Sequence, residues 1–107
     1  MTPPRVIISK DALNDLDEIE RYIADHDGVA RALSIRQRLE AAMQRLAFMP
    51  GIGGRRPHLD ADARSFPVRP WVIAYIRLPE NAGIRVVRVV DGRRDLPAIF
   101  GKNKKKR

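Results

Sequence analysis

Six residues of this chain could act on a phosphodiester: His58, Arg69, Arg77, Arg88, Arg93 and Arg94. Cleavage of RNA by its own 2′-hydroxyl needs a base for that proton, cations for the pentacoordinate phosphate and an acid for the leaving 5′-oxygen. The five arginines supply the cations. None of them can be the base, because a guanidinium stays protonated at any working pH. An imidazole can change charge near neutrality, which makes His58 the candidate base, although a histidine after Pro57 in a loop ordinarily stays at the surface. Tyr75 falls in mid-strand, where its ring belongs to a core. The acid–base set is therefore incomplete. His26 stands between Asp25 and Asp27, a pattern that fits a capped helix end better than a metal site, and no metal-ligand spacing occurs in the chain. No cofactor motif is present either.

The arginine-rich end, Arg93-Arg94-Asp95, admits three readings: target contact, anion binding, or local pairing with Asp91 and Asp95. It closes a stretch from Ala63 to Asp95 that holds most of the strand-forming residues. Trp71–Leu78 and Ile84–Val90 are two β-branched and aromatic runs, separated by Pro79-Glu80-Asn81-Ala82-Gly83, a loop of hairpin length whose Gly83 suits a positive φ. Trp71, Ile73 and Tyr75 fall on one face of such a strand, and Val72, Ala74 and Ile76 on the other. A sheet apolar on both faces needs cover on both. Trp71, at a strand start after Pro70, is either core or an interface anchor. Ala63–Val68 reads as a preceding strand, at an edge or bulged because Pro67 lacks a ladder donor.

Upstream, Arg5–Ser9 reads as a short strand, and Ser9 is placed to cap a helix with Asp11 in its first turn. Ala12, Leu16, Ile19 and Ile23 repeat at intervals of four, three and four, which predicts one apolar face of that helix, ended at Asp25–Gly28. Ile35, Leu39, Ala42, Leu46 and Met49 predict a second helix from about Val29 to Ala47. The segment Met49–His58 is a loop by its Pro and Gly content. Beyond Gly92, Leu96, Ile99 and Phe100 are expected to pack back. The order β-α-α-β-β-β gives an α+β fold, with an antiparallel helical hairpin on a mainly antiparallel sheet of about four strands. The hairpin covers one face of the sheet. The other is left for a partner.

Composition sets limits. The chain has 107 residues and 44% apolar content, enough for one domain with a modest core. No apolar run approaches the roughly 20 residues of a membrane span, and the opening MTPPRVII lacks the apolar region of a secretory signal. Cysteine is absent, which excludes disulfides and thiolate metal sites and fits a cytoplasmic location. The net charge is +8, of which Lys102, Lys104, Lys105, Lys106 and Arg107 carry five, leaving 8 − 5 = +3 for residues 1–101. Residues 1–101 are thus read as a single domain and residues 102–107 as a solvated basic tail. An anionic partner, nucleic acid or an acidic protein surface, suits this balance.

Taken together, VIISKDALNDLDEIERYIA, RLEAAMQRLAFMPGIGGRRP, FPVRPWVIAYI and IRVVRVVDGRRDLPAIF resemble the ParE/RelE superfamily of bacterial type II toxins, the ParE branch most closely. The positions that carry the resemblance are Ala12, Asp15, Leu16, Ile19, Tyr22 and Ile23 on the first helix. Leu46, Pro50 and Gly53 follow, then Val72 and Tyr75, and finally Val89, Gly92, Arg93, Arg94 and Asp95. No single piece is specific, but all occur in order and spacing from Val6 to Phe100. The resemblance implies a toxin neutralised by a cognate antitoxin, usually encoded beside it, that wraps an extended and helical segment over the toxin. It implies DNA gyrase as the target if the chain is ParE-like. If it is RelE-like, it implies cutting of messenger RNA on the ribosome by a cluster of cations with a C-terminal tyrosine, which this chain lacks. On this reading the antitoxin is expected at Trp71, Ile73, Tyr75, Val87 and Val89. The target is expected at Arg93, Arg94, Asp95 and Phe100. A third reading has the basic tail contacting nucleic acid.

Overall fold

The computed structural model describes residues 2–57 and 60–93. Its chain order begins with β1 (Arg5–Ile8), α1 (Lys10–Asp27) and α2 (Val29–Phe48). Four more strands follow: β2 (Gly54–Arg55), β3 (Ala63–Val68), β4 (Trp71–Arg77) and β5 (Gly83–Asp91). The strands form one sheet in the order β1-β5-β4-β3-β2. β2 through β5 are antiparallel neighbours, and β1 lies parallel to β5, with Arg5 opposite Gly83 and Ile8 opposite Val86. The sheet has one strand more than the sequence suggests. Gly54 and Arg55, in a loop by composition, pair with Ser65 and Arg64. Among the described residues no helix is long and apolar enough to cross a membrane.

The helices follow from the apolar spacing. Ser9 caps α1, its Oγ accepting from the Ala12 N–H at 3.0 Å while its own hydroxyl donates to the Val87 carbonyl at 2.9 Å. The cap thus also fixes α1 to β5. Gly28, at φ 96°, ends α1 and admits α2 directly, a turn that favours glycine. Ala12, Leu16 and Ile23 of α1, and Ala32, Ile35, Leu39, Met43, Leu46 and Ala47 of α2, are buried. Met49, expected on this stripe, lies past the helix end and is 45% exposed. Arg36 ties the two helices, donating to Asp17 at 3.1 Å, Glu20 at 2.7 Å and Glu40 at 3.4 Å.

The helical hairpin packs on one face of the sheet, over Ile73, Tyr75, Ile84, Val86 and Val89. On the opposite face Ala63 and Ala74 are buried with Val87 packed against them. The ladder between β4 and β5 slips at Ala74/Tyr75, since Ala74 pairs Arg88 while Tyr75 pairs Val86. Val87 is therefore the extra residue of a β-bulge. Of the two readings of β3 at Pro67, edge or bulge, the edge holds, and the register with β4 runs unbroken through it. Pro67 lies beyond the two residues that β2 pairs, so its missing N–H leaves no ladder gap on that side.

Tyr75 anchors the turn after α2. Its hydroxyl donates to the Pro50 carbonyl at 2.7 Å and accepts from the Gly53 N–H at 3.0 Å. A side chain at position 53 would collide with the Tyr75 hydroxyl and stand 2.9 Å from the Ser65 carbonyl. Removing the hydroxyl leaves one buried donor and one acceptor unpaired, so Tyr75→Phe is expected to cost about 2 kcal/mol by urea denaturation. Burial raises the Tyr75 phenol above its ordinary value of 10.0, against the opposing influence of the Gly53 N–H, Arg64 and Arg77. The folded chain therefore holds this proton after the unfolded chain has lost it. The contribution is complete below pH 10.0 and falls as pH rises through the folded value. Tyr75→Phe should flatten the alkaline loss of stability.

Candidate functional site

The end of β5 runs past β1 and meets α1 instead of another strand. Asp15 of α1 caps that edge. Its Oδ2 accepts from the Val89 N–H at 2.8 Å and from Arg88 Nε at 2.8 Å, and its Oδ1 accepts from Arg88 Nη2 at 2.9 Å. The pair is mostly shielded, with side-chain exposure of 11% for Asp15 and 18% for Arg88. The Asp15 hydrogen bonds hold the Arg88 guanidinium even more firmly protonated than usual. Arg88 is thereby committed to structure, not to a phosphate.

Above this edge lies a groove of about 570 Å³ between α1, the start of α2, and the adjoining ends of β4 and β5. Its apolar lining includes Ile19, Tyr22, Trp71 and Val90, and its acidic lining is Asp15, Glu18, Asp27 and Asp91. Arg31 and Arg93 are its cations, so the lining carries −4 + 2 = −2 within a chain of net +8. Tyr22 is 64% exposed and stacks on the His26 ring with centroids 4.1 Å apart. An exposed aromatic beside a half-buried tryptophan is the composition of a protein-docking surface.

The residues expected to meet an antitoxin are divided by the fold. Trp71 packs against the core on one side and lines the groove on the other. Ile73 and Tyr75 are 0% exposed and Val89 2%, because the helical hairpin lies on them, so they shape the site from beneath and offer no surface. Val87 belongs to the small cluster on the opposite face. Strand periodicity places residues on a face but does not say which face the helices take.

The candidate cations for phosphodiester chemistry are also dispersed. Arg69 lies in the turn before β4 and Arg77 at its far end, and the seven residues of β4 span roughly 20 Å of strand. The Arg69 carbonyl accepts from Arg38 at 2.7 Å. Arg93 is exposed and held by Asp91, its Nη2 at 3.0 Å and its Nε at 3.0 Å from the carboxylate oxygens, which is the local pairing weighed for that cluster. His58, Arg94, Asp95 and Phe100 lie outside the described residues, as do Leu96, Ile99 and the tail. Among the described residues no three His, Asp or Glu side chains are placed to hold a metal ion.

Sequence reasoning about chemistry missed Glu18 and Tyr22 as groove walls, and Asp15 as an edge cap. A signal for Asp15 existed. It stands three residues after Ala12 and one before Leu16, so it falls on the buried stripe, where an acid must have a partner.

A family model described as the ParE toxin of type II toxin–antitoxin systems matches residues 6–96. The chain is 34% identical over 98 residues to Toxin ParE3 of Caulobacter vibrioides, covering 92% of this chain and 96% of that protein. A solved structure of a chromosomal ParDE toxin–antitoxin system from P. aeruginosa matches the fold with a TM-score of 0.69 at 20% identity, over 83% of this chain and 96% of that one. The groove and its acid-capped strand edge thus belong to a chain that is a member of the ParE family of toxins of type II toxin–antitoxin systems.

Proposed function

We propose that the chain is held inactive by a cognate antitoxin seated in the groove between α1 and β5, and that the released toxin acts by binding DNA gyrase. The observation that carries the docking part is the groove itself: an exposed Tyr22 and a half-buried Trp71 over an acid-capped strand edge, with an acidic lining on a basic chain. An antitoxin segment with apolar anchors and basic flanks fits it. Family membership supports the gyrase part. The placement of the cations supports binding over cutting, since Arg69 and Arg93 stand at one end of the sheet, Arg77 at the other, and Arg88 is paired with Asp15. The Tyr75 hydroxyl is engaged at both its donor and its acceptor side.

The test is growth arrest on expression, relieved by the product of the adjacent small reading frame. Tyr22 is 64% exposed, so Tyr22→Asp should fold normally. It should keep the arrest and weaken antitoxin binding by about tenfold or more, the range of an interface aromatic. Calorimetric titration of purified toxin with antitoxin reads that loss. Unchanged affinity would remove the groove as the docking site.

A further inference from the structure

At the far end of the sheet, three arginines stand in an arrangement that folding alone disfavours. Arg55 and Arg64 are directly opposite each other across β2 and β3, so they share a face, and like charges so placed repel. Arg64 Nη1 donates to the carbonyls of Gly51 at 3.3 Å and Gly53 at 2.8 Å. Arg77 Nη2 lies 3.5 Å from where a Cβ of residue 51 would stand. Two guanidinium groups therefore converge on Gly51, and with Arg55 they line an open basin of about 480 Å³. Asp62 and Glu80 also line it. Among the described residues neither they nor any other carboxylate forms an ion pair with the three arginines, whereas Arg36, Arg88 and Arg93 all have one.

The arrangement is also built. Arg64 is fixed by two carbonyls, and the turn that supplies them is fixed by Tyr75. One fixed cation flanked by two more, with no ion pair to a described carboxylate, forms an anion site, and a local conflict of this kind marks function more often than stability. The planar forks of arginine suit phosphate oxygens. Phe48 at the end of α2, and Met49 and Ile52 in the turn that follows, are 62%, 45% and 41% exposed. Phe48 offers a ring on which an unpaired base can stack, and Met49 and Ile52 add apolar surface beside it.

We propose that Arg55, Arg64 and Arg77 bind backbone phosphates of single-stranded nucleic acid, with bases received on the exposed apolar turn beside them. The site is distinct from the groove and from the basic tail, and it binds without cleaving. It is independent of the gyrase reading.

The experiment is fluorescence anisotropy of a labelled oligouridine titrated with the full chain over a range of NaCl concentrations. Arg64 is left in place because it holds the turn. The double variant Arg55→Gln/Arg77→Gln should lose about tenfold or more in affinity. Its log–log salt slope should fall by about 1.4, at about 0.7 per phosphate contact on a single strand. The same fold-loss is expected when Lys104→Gln, Lys105→Gln and Lys106→Gln are present, which separates the basin from the tail. Thermal melting supplies the control on folding. Arg55→Gln removes a like-charge contact, so the midpoint should hold or rise. Unchanged affinity and slope in the double variant would overturn the proposal. So would a lowered melting point for Arg55→Gln, which would make Arg55 a structural cation. A glutamate-rich peptide that displaces the oligonucleotide at matched concentration would overturn the assignment to nucleic acid in favour of an acidic protein.

Discussion

Gly83→Ala is expected to destabilise the fold by about 4 kcal/mol or more and to detach β1 from the sheet. Gly83 has φ +125°, a conformation that side-chain-bearing residues rarely adopt. Forcing one there costs about 1–3 kcal/mol by itself. The larger effect is steric. Gly83 is the register partner of Arg5, and a Cβ on it would collide with the Arg5 carbonyl and backbone. These are backbone atoms, so no side-chain rotation relieves the contact and β1 must move. Moving it also loosens Val6 and Ile8 from the core they pack against. Against a typical stability of about 5–15 kcal/mol this is a severe lesion. Urea denaturation reads the loss, and hydrogen exchange at Val6 and Ile7 reads the detachment. Wild-type stability with β1 amides still protected would contradict the parallel pairing of β1 with β5.

Asp15→Ala is expected to cost about 3 kcal/mol. Three hydrogen bonds converge on this carboxylate, from Arg88 Nε, Arg88 Nη2 and the Val89 N–H. Removing it leaves a shielded guanidinium and a strand-edge donor without partners. The residual exposure of both side chains keeps the figure at the lower end for a broken buried pair, about 3–5 kcal/mol. Replacing both residues with apolar groups, Asp15→Leu with Arg88→Met, should recover much of the stability of Asp15→Ala, because the lone charge is then gone. If Asp15→Ala unfolds at the wild-type urea midpoint, the α1–β5 connection is not what holds the groove wall.

The elements of this fold were legible wherever a local pattern decides them. The four-three spacing gave both helices, Ser9 gave the first cap, and β-branched runs gave β3, β4 and β5 with Gly83 at the positive-φ position. What was not legible depends on distant pairing. The parallel placement of β1 is set by a helical hairpin returning the chain to the start of the sheet, not by any turn signal near Arg5. β2 is a strand because Arg64 and Ser65 present an edge to it, although its own residues read as loop. The bulge at Val87 has no local marker. The site was legible only as a region. Trp71, read as core or interface anchor, lines the groove, whereas Ile73, Tyr75 and Val89, expected to meet an antitoxin, are buried, because alternation does not say which face the helices cover. Arg55 and Arg64 became a pair only once β2 existed.

In the function proposed above, this ParE-family toxin acts by binding and not by cutting, and an antitoxin controls it. The most direct measurement is gyrase supercoiling with the purified chain in molar excess, run beside primer extension on messages in a translating extract. The expected result is inhibited supercoiling, restored by stoichiometric antitoxin from the adjacent reading frame, with no new cuts in the messages. Supercoiling left untouched at high molar excess, together with new cuts in translated messages, would contradict it.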